Sequence, residues 1–174
     1  YALAANGEVS DERGWYGLLR LLQWYRPRRP LDGIILTIPA DDLVGPTALP
    51  PHRLEATATA LYRKLWEAQK RLGLRLPVYV VITKCDAIEG FGALAGELPA
   101  RLQEQIFGWS SPYALGAAYA PQWLDEAGAS IDRDMLRLEA EVLAQGRRTE
   151  DPDRILMLHS RFAEIASPLR FYID

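Results

Sequence analysis

The sequence has 174 residues, of which 49% are hydrophobic and 25% are charged, the balance of a folded globular domain rather than a disordered segment. The 20 Lys and Arg residues are outnumbered by 23 Asp and Glu residues, and the net charge of −3 excludes the strongly basic footprint of a nucleic-acid-binding protein. A single cysteine excludes an internal disulfide and is typical of a reducing compartment. The chain starts at Tyr1 without an initiating methionine, so we expect it to continue from a longer protein.

The first half of the sequence predicts a strand–helix–strand unit after an opening helix. Apolar residues with helical spacing predict the opening helix over residues 15–24, which ends before Pro27. The β-branched runs 34–38 and 78–82 predict two strands, and an amphipathic helix over residues 54–72 joins them. Because both runs are continuously apolar, we expect adjacent parallel strands that are buried on both faces.

The second half of the sequence indicates helices. Apolar spacing predicts helices over residues 97–107, 131–142 and 162–172. The run Ile155-Leu156-Met157-Leu158 is apolar and short, and it predicts a possible third strand at 155–158. We therefore interpret residues 1–112 as an α/β region and residues 113–174 as a mainly helical extension.

The motif Thr83-Lys84-Cys85-Asp86 follows the second predicted strand directly. In parallel α/β sheets, ligands bind at the carboxyl ends of strands. The tetrapeptide resembles the guanine-specificity motif of Ras-like GTPases, usually Asn-Lys-x-Asp, with Thr83 in place of the usual Asn. An Asp86 carboxylate could accept two N–H groups from a guanine edge, while the Lys84 stem covers the base. The alternative is a polar turn in which Asp86 acts as a local cap.

Other polar residues carry weaker signals. Asp41-Asp42 follows the first strand. This pair either faces a ligand or caps the next turn. His52 and His159 are isolated, and their spacing predicts a structural or surface role rather than a metal site. Arg26, Arg28 and Arg29 follow Trp24 and Tyr25, a cluster that suits either an acidic partner or a solvated helix exit.

Phosphate-binding and magnesium-binding motifs are missing from this sequence. It contains neither the G-x-x-x-x-G-K-[S/T] phosphate loop nor an Asp-x-x-Gly after an early strand. Phosphoryl transfer depends on both, because positioning and charge neutralisation supply nearly all of the catalysis. We therefore expect no catalytic residues and no nucleotide hydrolysis in this chain alone, and only weak nucleotide binding.

Three segments together resemble the TssM/IcmF family of type VI secretion systems. Residues 26–33 are similar to the family's R-P-R-R-P-x-[ND]-G, and residues 77–91 to its P-V-Y-x-x-x-T-K-x-D-x-x-x-G-F. Residues 105–109 resemble its Q-x-[WF]-G step. The resemblance covers about residues 12–112, and the remainder matches only in general pattern.

The resemblance implies part of a P-loop GTPase-like parallel sheet with flanking helices, plus a helical C-terminal region. It implies that residues 1–112 are the C-terminal part of an NTPase-like domain at the cytoplasmic face of the bacterial inner membrane. Thr83, Lys84 and Asp86 carry base recognition in that reading, with GTP or ATP and Mg²⁺ as cofactors of the intact protein. The implied partners are other membrane-complex and baseplate subunits, in an oligomer. Two functions stay open: a nucleotide-binding switch, and a scaffold that docks partners without turnover.

Overall fold

The computed structural model describes residues 2–4, 12–114, 116–144 and 152–174. We expect the chain to continue from a longer protein before Tyr1, and this residue lies outside the described ranges. The chain divides into two units: the first contains residues 1–39 and 50–83, and the second contains residues 40–49 and 84–174. Across the described ranges, no helix is both long enough and apolar enough to cross a bilayer.

A parallel sheet forms the centre of the first unit. Its strands are β1 (Ala2–Ala4), β2 (Ile34–Pro39) and β3 (Val78–Thr83), side by side in that order. β2 and β3 pair from Ile34 opposite Val78 to Pro39 opposite Thr83. The two predicted strands are thus confirmed as adjacent and parallel, while β1, which pairs with the other edge of β2, was not predicted.

Two long helices accompany the sheet in the first unit. They are α1 (Glu12–Tyr25) and α3 (Pro51–Leu72), close to the predicted ranges. Gly73 adopts a left-handed conformation and its N–H donates to the Gln69 carbonyl, which ends α3. The Tyr16 hydroxyl donates to the Glu67 carboxylate at 2.8 Å and links the two helices. Strand–helix–strand is therefore the observed order, and the P-loop GTPase-like sheet stays a prediction.

The prediction that both strands are buried on both faces is wrong for the described chain, since Ile35 of β2 is 40% exposed and β3 is exposed along most of its length. Val78, Tyr79, Val80 and Val81 are exposed, whereas Ile34, Leu36 and Ile38 of β2 are buried. An apolar run gives a strand the capacity for burial, but burial itself needs a neighbouring layer on each face. β3 is the edge strand of the described sheet and has β2 as its only strand neighbour there.

The second unit is helical. Its elements are α2 (Ala40–Leu43), a 3-10 turn (Cys85–Ala87), α4 (Phe91–Glu97), α5 (Ala100–Gln103), α6 (Gln122–Ala144), α7 (Pro152–Leu156), α8 (Leu158–Ala163) and α9 (Ala166–Ile173). α6 packs on α8. Much of the core of the second unit is formed by the buried residues Met135, Val142, Ile155, Leu158 and Ile165. The helix predicted over residues 131–142 is confirmed as the second half of α6.

Three sequence predictions in this unit are wrong. The helix predicted over residues 162–172 is interrupted at residues 164–165, between α8 and α9. The run 155–158 is helical and not a strand, because Ile155 and Leu158 are buried three residues apart while Leu156 and Met157 are exposed. Of the single helix predicted over residues 97–107, only α5 (Ala100–Gln103) and Glu97, the last residue of α4, are helical. Pro99 causes the break between α4 and α5, since proline restricts the residue before it and donates no backbone hydrogen bond.

Candidate functional site

The predicted nucleotide motif begins where β3 ends. Thr83 is the last residue of β3, and Lys84 follows with φ 54°, a left-handed backbone that no other non-glycine residue adopts among those described. The chain then enters the 3-10 turn, in which the Ala87 N–H donates to the Lys84 carbonyl at 3.0 Å. Residues other than glycine rarely adopt this backbone conformation, and residues in strained conformations are enriched at functional sites. The left-handed residue and the hydrogen-bonded turn thus fix the backbone that carries Lys84, Cys85 and Asp86.

Lys84 is tied to Asp41, which lies in the first turn of α2. The Lys84 Nζ donates to Asp41 Oδ2 at 2.9 Å. This hydrogen bond, together with the Asp41 charge, raises the pKa of Lys84 above its ordinary value. Asp41 Oδ1 is buried and has no hydrogen-bond partner in the described part of the chain. Asp41 therefore positions the Lys84 ammonium while one of its own oxygens stays unused.

Asp42 and Tyr172 lie beside this ion pair. Burial raises the pKa of Asp42, the Asp41 charge raises it further, and Lys84 opposes both. Burial is also the main cause of the raised pKa of Tyr172, followed by the Asp42 charge. The Tyr172 hydroxyl is buried without a hydrogen-bond partner in the ranges that the structure describes. Asp42 and Tyr172 thus add two partly buried titratable groups near the Lys84–Asp41 pair.

Asp86 is the residue of the motif that is most available to a ligand. It lies in the 3-10 turn with its side chain exposed, and no described residue bonds its carboxylate. Two carboxylate oxygens can accept two parallel N–H groups, which is the arrangement on the edge of a guanine base. The alternative prediction of a local cap finds no side-chain cap hydrogen bond in this turn.

Cys85 provides a measurable probe of this turn. Burial raises the pKa of its thiol, and the Asp86 charge adds to the rise. Since the thiolate is the reactive form, we expect iodoacetamide to alkylate Cys85 slowly at neutral pH, with a rate midpoint above the ordinary thiol value of 9.0. The Asp86→Asn variant should shift that midpoint down. A wild-type midpoint at or below that of an unfolded cysteine peptide would contradict the description of the turn.

Sequence reasoning located the motif but missed the pairing of Asp41 with Lys84. The signal was present in the topology, because parallel adjacent strands end side by side and the residues that follow them become neighbours. The register places Pro39 opposite Thr83, so Asp41 and Lys84 each follow shortly after a paired strand end. Asp41, noted only as a ligand or cap candidate, is the principal partner of Lys84.

The other sequence candidates lie apart from this turn. His52 is exposed in the first turn of α3. His159 contacts Glu139 of α6: its backbone N–H donates to Glu139 Oε1 at 2.8 Å, and its Nδ1 lies 3.1 Å from Oε2. The predicted structural role of His159 is thereby supported, whereas buried Glu139 was not singled out from the sequence.

The parallel sheet of the first unit and the helices of the second define a mixed α/β protein with a charged turn after an edge strand. Residues 8–174 match the family described as IcmF-related N-terminal domain, and the chain belongs to this family. It is also 30% identical over 149 residues to the type VI secretion system component TssM1 of Pseudomonas aeruginosa. That match covers 83% of this chain and 13% of the relative. No solved structure matched the chain.

Proposed function

We propose that this chain is the base-recognising segment of a type VI secretion protein that binds a guanine nucleotide as a switch. One observation carries the proposal: Asp86 presents an unused carboxylate beside a left-handed Lys84 that Asp41 holds in place. Membership of the IcmF-related family and the similarity to a type VI secretion component support the cellular context. In this proposal the intact protein acts at the cytoplasmic face of the inner membrane.

Each residue of the motif has a role in this proposal. The Asp86 carboxylate accepts the two N–H groups of the guanine edge, and the Lys84 methylene stem covers one face of the base. Asp41 keeps the Lys84 ammonium aside, so that the stem and not the charge meets the ring. Thr83 contributes a hydroxyl where the related GTPase motif has an amide. Adenine offers a different edge, with an acceptor at the ring nitrogen, so a carboxylate discriminates against ATP.

The nucleotide implied by the family resemblance is GTP or ATP with Mg²⁺. The exposed Asp86 carboxylate fits the base of such a ligand, whereas the sequence has no segment that matches a phosphate loop. Other residues of the intact protein must therefore hold the phosphates and the metal. Since charge-assisted phosphate bonds are the strong ones, the base contacts of this segment supply selectivity more than affinity. We propose accordingly that the segment is the C-terminal part of an NTPase-like domain.

A second candidate is a scaffold that docks other secretion subunits without nucleotide turnover. The exposed apolar residues of β3 favour it, because large exposed apolar patches mark interaction surfaces. The partners in this case are membrane-complex and baseplate subunits of the same secretion system. The scaffold makes no use of the Asp86 carboxylate, and this separates the two proposals.

Calorimetry of the whole cytoplasmic region of the intact protein tests the proposal, with GTP and ATP titrated with and without Mg²⁺. We expect Asp86→Ala to weaken GTP binding by about 1–3 kcal/mol, or roughly 5- to 150-fold, since two hydrogen bonds to a charged group are lost. Asp132→Ala is the matched control, because Asp132 is an exposed aspartate of α6. Equal GTP affinity of wild type and Asp86→Ala supports the scaffold instead.

A further inference from the structure

Two aromatic rings and three guanidinium groups lie together where α1 ends. We call this set the α1 exit patch: Trp24, Tyr25, Arg26, Arg28 and Arg29. Trp24 and Tyr25 are 74% and 73% exposed, and their ring centroids are 4.9 Å apart. Trp, Tyr and Arg are the residue types most enriched at the energetic centres of protein interfaces. Such a pair of exposed rings has no role in the core of the first unit.

The basic part of the patch is held in a defined geometry. Asp32 accepts from Arg29 Nε at 2.7 Å and pairs with Arg26 Nη2 at 3.4 Å. Pro30 is buried, which anchors the turn that carries the arginines. Arg28 has no hydrogen-bond or ion-pair partner in the described chain. Two of the three guanidinium groups thus share one carboxylate, and the turn has a surplus of positive charge.

Charge is divided unequally between the two units. The first unit has 11 Lys and Arg residues and 6 Asp and Glu residues, a net charge of +5. The second has 9 Lys and Arg residues and 17 Asp and Glu residues, a net charge of −8. The near-neutral total therefore conceals a basic unit, and the α1 exit patch lies on it. Electrostatic complementarity of this kind speeds association with an acidic partner and selects against basic ones.

We infer that the α1 exit patch docks an acidic segment of a partner protein. Carboxylates of that segment pair with Arg26, Arg28 and Arg29, since guanidinium binds carboxylate through parallel hydrogen bonds. Apolar side chains between those carboxylates pack on Trp24 and Tyr25. The constrained turn favours a shaped protein ligand over a fluid lipid surface, because preorganised groups lose less entropy on binding. This docking is independent of nucleotide binding at Asp86.

Fluorescence anisotropy of the whole cytoplasmic region of the intact protein tests the inference. The probe is a short fluorescein-labelled peptide of Glu, Asp and Leu, and the same peptide with Gln and Asn is the uncharged reference. We expect binding of the acidic peptide only, weakened by salt. The variant Arg26→Gln/Arg28→Gln/Arg29→Gln should lose affinity by about tenfold or more, since charge-assisted bonds are lost. Trp24→Ala/Tyr25→Ala should also weaken binding while keeping its salt dependence.

The matched control removes the same charge from α3 of the same unit: Arg53→Gln/Arg63→Gln/Lys64→Gln. Circular dichroism and thermal melting of every variant establish that it is folded. The inference is overturned if the control weakens binding as much as the patch variant, or if wild type does not bind the acidic peptide. It is also overturned if the patch residues drive binding to phosphatidylglycerol vesicles but not to the peptide, or if they drive self-association in light scattering.

Discussion

Replacing Gly90 by alanine should lower the free energy of unfolding by about 3–5 kcal/mol, from backbone strain and steric overlap together. Gly90 precedes α4 and has φ 91°, a conformation that side chains beyond glycine rarely adopt. An added Cβ would lie 3.0 Å from the carbonyl carbon of Arg154 and would overlap its oxygen. Backbone atoms cannot rotate away, so the junction between α4 and α7 must open.

Gly45→Ala is the matched control for Gly90→Ala. Gly45 has φ 86°, close to that of Gly90, but nothing lies within 4 Å of an added Cβ. This variant therefore has the strain without the overlap, and we expect a loss of about 1–2 kcal/mol. Urea denaturation followed by circular dichroism measures both variants. Equal losses would contradict the close approach of Arg154 to Gly90.

Glu139→Ala should cost about 2–4 kcal/mol, because it removes a buried carboxylate that accepts two hydrogen bonds. Glu139 lies in α6 with only 3% of its surface exposed. Its carboxylate accepts the backbone N–H of His159 at 2.8 Å, near the start of α8. Removal leaves this N–H without its acceptor and weakens the packing of α6 on α8. Urea denaturation again gives the change in free energy of unfolding.

Two further variants apportion the effect of Glu139. Glu139→Gln keeps an oxygen that can accept the backbone N–H, so we expect a smaller loss of about 1–2 kcal/mol. His159→Ala removes the ring contacts with Glu139 at 3.1 Å and with Ser160 at 3.2 Å but keeps the backbone bond, and its loss should be about 1 kcal/mol. A Glu139→Ala variant no less stable than His159→Ala would show that the backbone bond contributes little.

The strand–helix–strand unit could be predicted from sequence because its signals are local. The apolar runs of β2 and β3 flank a helix whose period is clear, and Gly73 marks the end of that helix. Exposure of β3 could not be predicted, since it depends on which layers surround the sheet. The run 155–158 was ambiguous because a short apolar run suits either a strand or a buried helix turn.

The candidate site could be predicted only in part, because several of its contacts join residues that are distant in the sequence. Thr83, Lys84 and Asp86 are consecutive or nearly so, and their motif can be read directly. The partner of Lys84 lies 43 residues away, and that of His159 lies 20 residues away. Glu139 lies among charged and apolar residues of α6, a sequence context typical of an exposed helix residue. Its burial follows from the packing of α8 against α6. Long-range pairing of this kind follows from the fold and not from local spacing.

Titration of xanthosine triphosphate and GTP into the intact protein, wild type and Asp86→Asn, tests the base-recognition proposal most directly. Guanine donates two N–H groups to a carboxylate, whereas xanthine has a carbonyl oxygen where guanine has its amino group, and an amide N–H can donate to that oxygen. We expect wild type to prefer GTP and Asp86→Asn to prefer the xanthine nucleotide, with the Asp132→Asn control behaving as wild type. An unchanged preference in Asp86→Asn would contradict recognition of the base by Asp86.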